Sequence, residues 1–172
     1  MSEPNWEEYI INLEDIFQHN KGQQSRMEEL AHYTYGFILE VGAADGYVSF
    51  LMKGQGKDII TSDISRDACR RAKRFKLNLV CCDGRYLPFR DNAFDCVLAG
   101  ETLEHVYNMG YILAELQRVS KKRVIISFPH EFWKGDRTHV WDIIWRGVMY
   151  KGDKLNFDPN LGFSILIMDK KF

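Results

Sequence analysis

No apolar run in the 172-residue chain is long enough to cross a bilayer. The start, Met1-Ser2-Glu3-Pro4-Asn5, has neither the basic opening nor the apolar core of a secretory leader. Both absences point to a cytoplasmic protein with no membrane partner. Cys69, Cys81, Cys82 and Cys96 form no C-x-x-C pair, which argues against a zinc knuckle or redox motif and leaves buried, reduced thiols as the expectation. Charge is nearly balanced, at −1 overall, so no global field draws the chain to nucleic acid. Repeats, low-complexity tracts and linkers are missing too. What remains, 45% hydrophobic and 27% charged residues, is the composition of one ordinary globular domain over 1–172.

Residues 6–19 carry apolar side chains at Trp6, Tyr9, Ile10, Leu13, Ile16 and Phe17, the spacing of an amphipathic helix that Gly22 ends. A second helical stretch runs from Gln24 to Tyr33, so 1–35 reads as an N-terminal helical cap. From Phe37 the pattern changes to short apolar runs alternating with helical segments. Strands are predicted at Phe37–Val41, Asp58–Ser62, Leu77–Cys82, Phe94–Ala99 and Arg123–Phe128, and helices at Gly46–Lys53, Ser65–Phe75 and Asn108–Val119. That alternation predicts an α/β, Rossmann-like, doubly wound and mostly parallel sheet with helices on both faces. A helix over His139–Val148 and a last strand over Phe163–Asp169 complete a shortened C-terminal part, 131–172, on the acceptor side of the 36–130 core.

The first strand runs into Glu40-Val41-Gly42-Ala43-Ala44-Asp45-Gly46, a strand, a tight turn and a helix, the arrangement that receives nucleotide-type ligands at strand ends. The third glycine of the dinucleotide fingerprint is missing, since Tyr47 follows Gly46. Further acidic groups end the next two strands, Asp63 in Thr61-Ser62-Asp63-Ile64 and Asp83 in Cys82-Asp83-Gly84. In this order the chain resembles class I S-adenosylmethionine-dependent methyltransferases. The run from Asp83 through Leu87-Pro88-Phe89 and Phe94-Asp95 to Val106 looks like their type-11 group. The resemblance implies that Glu40, Gly42, Ala44 (where the family prefers glycine), Gly46, Asp63, Ile64, Asp83, Gly84 and Glu101 hold S-adenosylmethionine. Asp63 would then accept from the ribose hydroxyls, Asp83 bond the adenine amino group and Ile64 pack on the adenine. Asp95, at a strand start, reads as structural.

Methyl transfer from a sulfonium is dominated by positioning, and a hydroxyl acceptor also needs a base or a metal. Glu101, Glu104 and His105 form E-x-x-E-H, whose i, i+3, i+4 spacing predicts one face of a helical turn. It resembles the metal site of quinone-pathway O-methyltransferases and small-RNA 2′-O-methyltransferases, with His139 as the histidine after the fifth strand. Three roles stay open: a divalent cation on Glu101, Glu104, His105 and His139; His105 or His139 as base, with Glu101; or purely structural parts. Arg66, Arg70, Arg71, Lys73, Arg74 and Lys76 read as a solvated helix face or an RNA contact. Trp133, Trp141, Trp145 and Phe132 read as an acceptor pocket or as packing. The expected activity is O-methylation of a small-molecule or glycan hydroxyl. An RNA methyltransferase and a non-catalytic, methyltransferase-like partner subunit are the alternatives. The strand at 163–169, short of partners, would be covered in a homodimer.

Overall fold

The computed structural model describes residues 21–129, 154–158 and 163–170. The first described helix, α1, covers Lys21–Tyr33, and β1 follows at Phe37–Val41. Then come α2 (Tyr47–Gly54), β2 (Asp58–Asp63), α3 (Arg66–Ala72), β3 (Asn78–Cys81) and β4 (Phe94–Gly100). After β4 the chain gives α4 (Met109–Val119), β5 (Ser120–Pro129), β6 (Lys154–Asp158) and β7 (Phe163–Asp169). Among these residues no helix is long and apolar enough to cross a membrane.

The described strands form one sheet in the order β3-β2-β1-β4-β5-β7-β6. The pairs among β1 to β5 are parallel, and β7 runs antiparallel to both β5 and β6. The central strands β1, β4, β5 and β7 are apolar on both faces, as a sheet covered on both sides requires. Leu39, Val97, Val124, Ile126 and Leu166 join Ile112, Leu116 and Val119 of α4 in one core. Ile38, Leu98, Ile125, Ile165 and Ile167 join Met27, Leu30, Val48 and Met52 of α1 and α2 in the other. The chain leaves β1 in one direction to make β2 and β3, then crosses back to β4 on the opposite side. Loops leaving β1 and β4 therefore part, and a crevice opens at the carboxyl ends of those strands.

Several predicted boundaries shift. Gly22 lies inside α1 rather than ending a helix before it. The helix expected over Ser65–Phe75 is α3 followed by a 3-10 turn at Lys73–Phe75. β6 was not anticipated, and its presence corrects the expectation of a 163–169 strand short of partners: β7 is hydrogen-bonded on both sides. The homodimer argument loses its premise with it. Cys69 and Cys96 are buried as expected, but Cys81 is exposed. Burial pushes the Cys69 thiol up to about 12 and that of Cys82 up to about 11, which keeps both protonated and inert. The predicted helices at 6–19 and 139–148, together with His139, Phe132 and the three tryptophans after β5, lie outside the described residues.

Candidate cofactor cleft

The crevice at the ends of β1 and β4 is a cleft enclosing about 1180 Å³ including its open mouth. Glu40, Gly42, Ala44, Asp63, Ile64, Asp83, Gly84, Glu101 and His105 all line it. Gly46 does not. It caps α2 with φ 78°, and an added Cβ would stand 2.8 Å from Leu77 Cδ1, so it serves the turn and its packing.

Backbone geometry in the glycine turn discriminates between ligands. The Gly42 and Ala43 N–H groups both donate to the Ser62 carbonyl, at 2.9 and 3.0 Å, and Gly46 N–H donates to the Ala43 carbonyl at 2.9 Å. Ala44 N–H donates to Asp63 Oδ2 at 2.7 Å. Four donors that a diphosphate would need are thus spent within the protein. The nearby carboxylates of Glu40 and Asp63 would repel such a ligand as well. A pyrophosphate cradle works by offering free N–H groups; this turn offers those four to itself. Ala44 adopts φ 48°, so the alanine in place of the family's glycine keeps the left-handed turn at a modest conformational cost.

The carboxylates have distinct surroundings. Glu40 is buried and accepts a short hydrogen bond from Ser49 Oγ on α2. Burial raises its pKa to about 7 against the pull of the Ser49 hydroxyl, and the charges of Asp63 and Asp45 add to the rise. Asp63 accepts from Ala44 N–H with one oxygen and from Ser65 N–H, at 2.8 Å, with the other. Each oxygen keeps a lone pair for a further donor, which suits a vicinal diol. Burial raises the Asp63 pKa, opposed by those N–H bonds. Helix α3 is capped by Ser65, whose Oγ accepts from Ala68 N–H at 3.1 Å, so Asp63 is left for the cleft. Asp83 is held by Arg85, with Nη2 to Oδ2 at 2.6 Å. Desolvation works to raise its pKa, but the Arg85 bonds outweigh that and leave it lowered. Beside Asp63, the Ile64 side chain is 38% exposed at the cleft, an apolar face available to a planar group.

The E-x-x-E-H segment departs from its expected shape. Glu101 precedes the turn with φ 51°, and only Leu103–His105 form a 3-10 turn, so the three side chains do not share one helical face. Glu101 is instead ion-paired with Arg26 of α1, Nη1 to Oε1 at 2.8 Å. Glu104 and His105 are buried, and of the two only His105 lines the cleft. Among the described residues no three His, Cys, Asp or Glu side chains gather to hold a metal ion. Of the basic segment, Arg66, Arg70, Lys73, Arg74 and Lys76 are exposed, whereas Arg71 lines the cleft, a departure from the uniformly solvated face.

Three contributors were missed from sequence. Arg26 lies on a helix whose register over the sheet only the fold reveals. Asp45 is buried and takes Arg74 Nη2 at 3.1 Å, tying the glycine turn to the 3-10 turn after α3. Thr102 Oγ1 donates to the carbonyls of Val41, at 3.3 Å, and Gly100, at 3.1 Å, bracing β1 against β4. The signal for Asp45 is in view, a second carboxylate inside the turn motif. Asp95 has the structural part expected, accepting from Phe37 N–H at 3.1 Å and pairing with Lys122.

Known proteins are similar to this chain in sequence and in fold. A demethylmenaquinone methyltransferase from Renibacterium salmoninarum is 28% identical over 128 residues, covering 72% of this chain and 54% of the relative. One of the same name from Thermobifida fusca is 30% identical over 118 residues, covering 63% of this chain and 50% of its own. The chain thus spans about half the length of the curated relatives it matches. In fold it is similar to magnesium protoporphyrin IX methyltransferase from Synechocystis, solved with bound SAH. The TM-score is 0.67 at 15% identity, covering 87% of this chain and 84% of that one. Residues 39–128, more than half of the chain, match the type-11 methyltransferase domain, and the protein belongs to that family.

Proposed function

We propose that the protein is an S-adenosylmethionine-dependent methyltransferase whose acceptor is a hydroxylated small molecule or glycan. The observation that carries this is the glycine turn with those four N–H donors spent internally and carboxylates at three successive strand ends. Such a site disfavours phosphates and suits a cationic nucleoside. The residues fit the group. Asp63 has lone pairs for the ribose hydroxyls and Ile64 an uncovered apolar face, while Asp83, whose two oxygens accept from the Arg85 N–H, Nε and Nη2, would take the adenine amino group by giving up one of those bonds. Gly84 sits tightly in the cleft wall, since a Cβ there would stand 2.7 Å from Ile112 Cδ1 and that side chain would have to shift. S-adenosylmethionine supplies an activated methyl on a sulfonium, so the protein's task is to orient the acceptor, exclude water and remove a proton. His105 is the described imidazole at the cleft and the base assigned to the acceptor hydroxyl.

A second acceptor chemistry is favoured by the relatives named for demethylmenaquinone, and by one from Desulfotalea psychrophila named as a C-methyltransferase of ubiquinone and menaquinone biosynthesis. Deprotonating a ring hydroxyl activates both its oxygen and the adjacent ring carbon. One base at His105 therefore serves either outcome. The test is calorimetry with S-adenosylhomocysteine (SAH) and NADH, followed by isotopic methyl transfer to a panel of hydroxylated aromatics and sugars. SAH binding without NADH binding is expected, and an O-methyl or C-methyl product separates the two chemistries. No heat with SAH, or tight NADH binding, would overturn the proposal.

A further inference from the structure

Three of the four cysteines stand together at one edge of the sheet. Cys69 lies in α3, Cys81 ends β3 and Cys82 follows it. In the β2–β3 register Cys81 stands opposite Asp63, and the Cys82 N–H donates to the Asp63 carbonyl at 2.9 Å. Cys69 Sγ donates to that same carbonyl at 3.6 Å, and Cys81 Sγ donates to the Ile64 carbonyl at 3.7 Å. The Cys69 and Cys81 thiols are also hydrogen-bonded to each other. Cys82, on the other face of the strand, packs against the core on the α4 side. Cys81 is exposed and Cys69 is buried, so one thiol of the touching pair meets solvent and the other does not. The cofactor chemistry above gives this pair no part.

We infer that Cys69 and Cys81 form a reversible disulfide by exchange with a small disulfide such as glutathione disulfide, and that the link weakens cofactor binding. The second half rests on the cofactor proposed above. Cys69, buried and protonated, meets no oxidant in solution, whereas Cys81 does. The Cys81 sulfur attacks one sulfur of glutathione disulfide, whose S–S bond breaks, and one glutathione leaves with the Cys81 proton. The Cys69 sulfur then attacks the Cys81 sulfur of this mixed disulfide, and the second glutathione leaves with the Cys69 proton. Two protein thiols are oxidised and one glutathione disulfide is reduced to two thiols. The second step is intramolecular, so a high effective concentration offsets the small thiolate fraction of Cys69. An S–S bond of about 2.0 Å replaces a hydrogen-bonded contact and draws α3 toward the end of β3. It also takes both S–H donors from the Asp63 and Ile64 carbonyls. In the proposed site these residues are the ribose acceptor and the adenine face, so the link acts on the segment that holds the nucleoside.

The full chain, equilibrated in glutathione buffers from fully reduced to fully oxidised, is digested without reduction and mapped by mass spectrometry, with SAH calorimetry on each form. The oxidised chain should carry a Cys69–Cys81 link. Its SAH affinity should be roughly tenfold lower, the scale of one charged hydrogen bond, and dithiothreitol should restore it. Cys81→Ser, at an exposed position, should abolish the link and make SAH affinity independent of the buffer. Cys69→Ala should stop at the first step, with glutathione left on Cys81, and Cys82→Ala should still form the link. An oxidised wild-type chain whose Cys81 stays free, keeps its glutathione or bonds to Cys82 would overturn the pair. A link that leaves SAH affinity unchanged would overturn its effect on the cofactor. A reduced chain that binds no SAH would overturn the cofactor proposal and that effect with it, while the mapped link would stand.

Discussion

Glu40 sits in the sheet core at 4% exposure, and burial carries its pKa from 4.5 to about 7. Because the folded value is raised, protons favour the native state. The stabilisation is fully present below about pH 4.5 and is lost as pH rises through 7. At about 1.4 kcal/mol per unit of displacement, the charged form costs the fold about 3 kcal/mol above pH 8. Glu40→Gln keeps an oxygen for the Ser49 hydroxyl and removes the titration. The decisive quantity is the difference in unfolding free energy between Gln variant and wild type, which cancels every other titrating group. Urea unfolding followed by circular dichroism, at several pH values from about 4.5 to about 8.5, measures it. The variant should match wild type within about 1 kcal/mol at the acid end and gain about 3 kcal/mol by the alkaline end. A difference flat across that range, or one growing toward acid, would refute the burial argument for this carboxyl.

Other perturbations follow from the same contacts. Gly42→Ala should cost about 2–4 kcal/mol in thermal or urea unfolding, since φ is 74° and the new Cβ would stand 2.4 Å from Thr102 Oγ1. Asp63→Ala should cost roughly 1.5–3 kcal/mol of SAH binding by calorimetry; because Ala44 N–H also loses its acceptor, the melting temperature should fall with it. Arg118→Met removes bonds to Glu115, Asp91 and the Leu87 and Phe89 carbonyls and should destabilise by about 2–3 kcal/mol, with SAH affinity unchanged. Unchanged stability in that variant would mean that the 87–91 loop is held by its apolar side chains alone.

The parts of the molecule legible in sequence are those where local pattern and global fold agree. β1 is legible to its observed ends because Phe37–Val41 is apolar except for Glu40 and stops at a glycine turn. Asp63 and Asp83 were readable because strand ends in this topology are where ligands meet acidic groups. β6 was not legible: Lys154-Leu155-Asn156-Phe157-Asp158 is short, polar on alternate positions and defined by its pairing with β7. The E-x-x-E-H spacing misleads because helical geometry begins only at Leu103, two residues after Glu101, which takes a left-handed backbone and turns to Arg26. A pair joining α1 to the β4 loop depends on how a helix docks, which no local periodicity encodes.

The position of β7 between β5 and β6 bears on how the chain is made. During translation β1 to β5 emerge in an order that lets each find a neighbour at once, so most of the parallel sheet can assemble on the ribosome. β6 emerges before the strand it pairs with, and β5 keeps an open edge until residues 163–169 appear. A nascent chain paused before that point carries two unpaired strand edges, the feature most prone to sticking to other chains. Arrival of Phe163–Asp169 closes both in one step. A product that stops short of Phe163 should therefore be less soluble than one that includes β7.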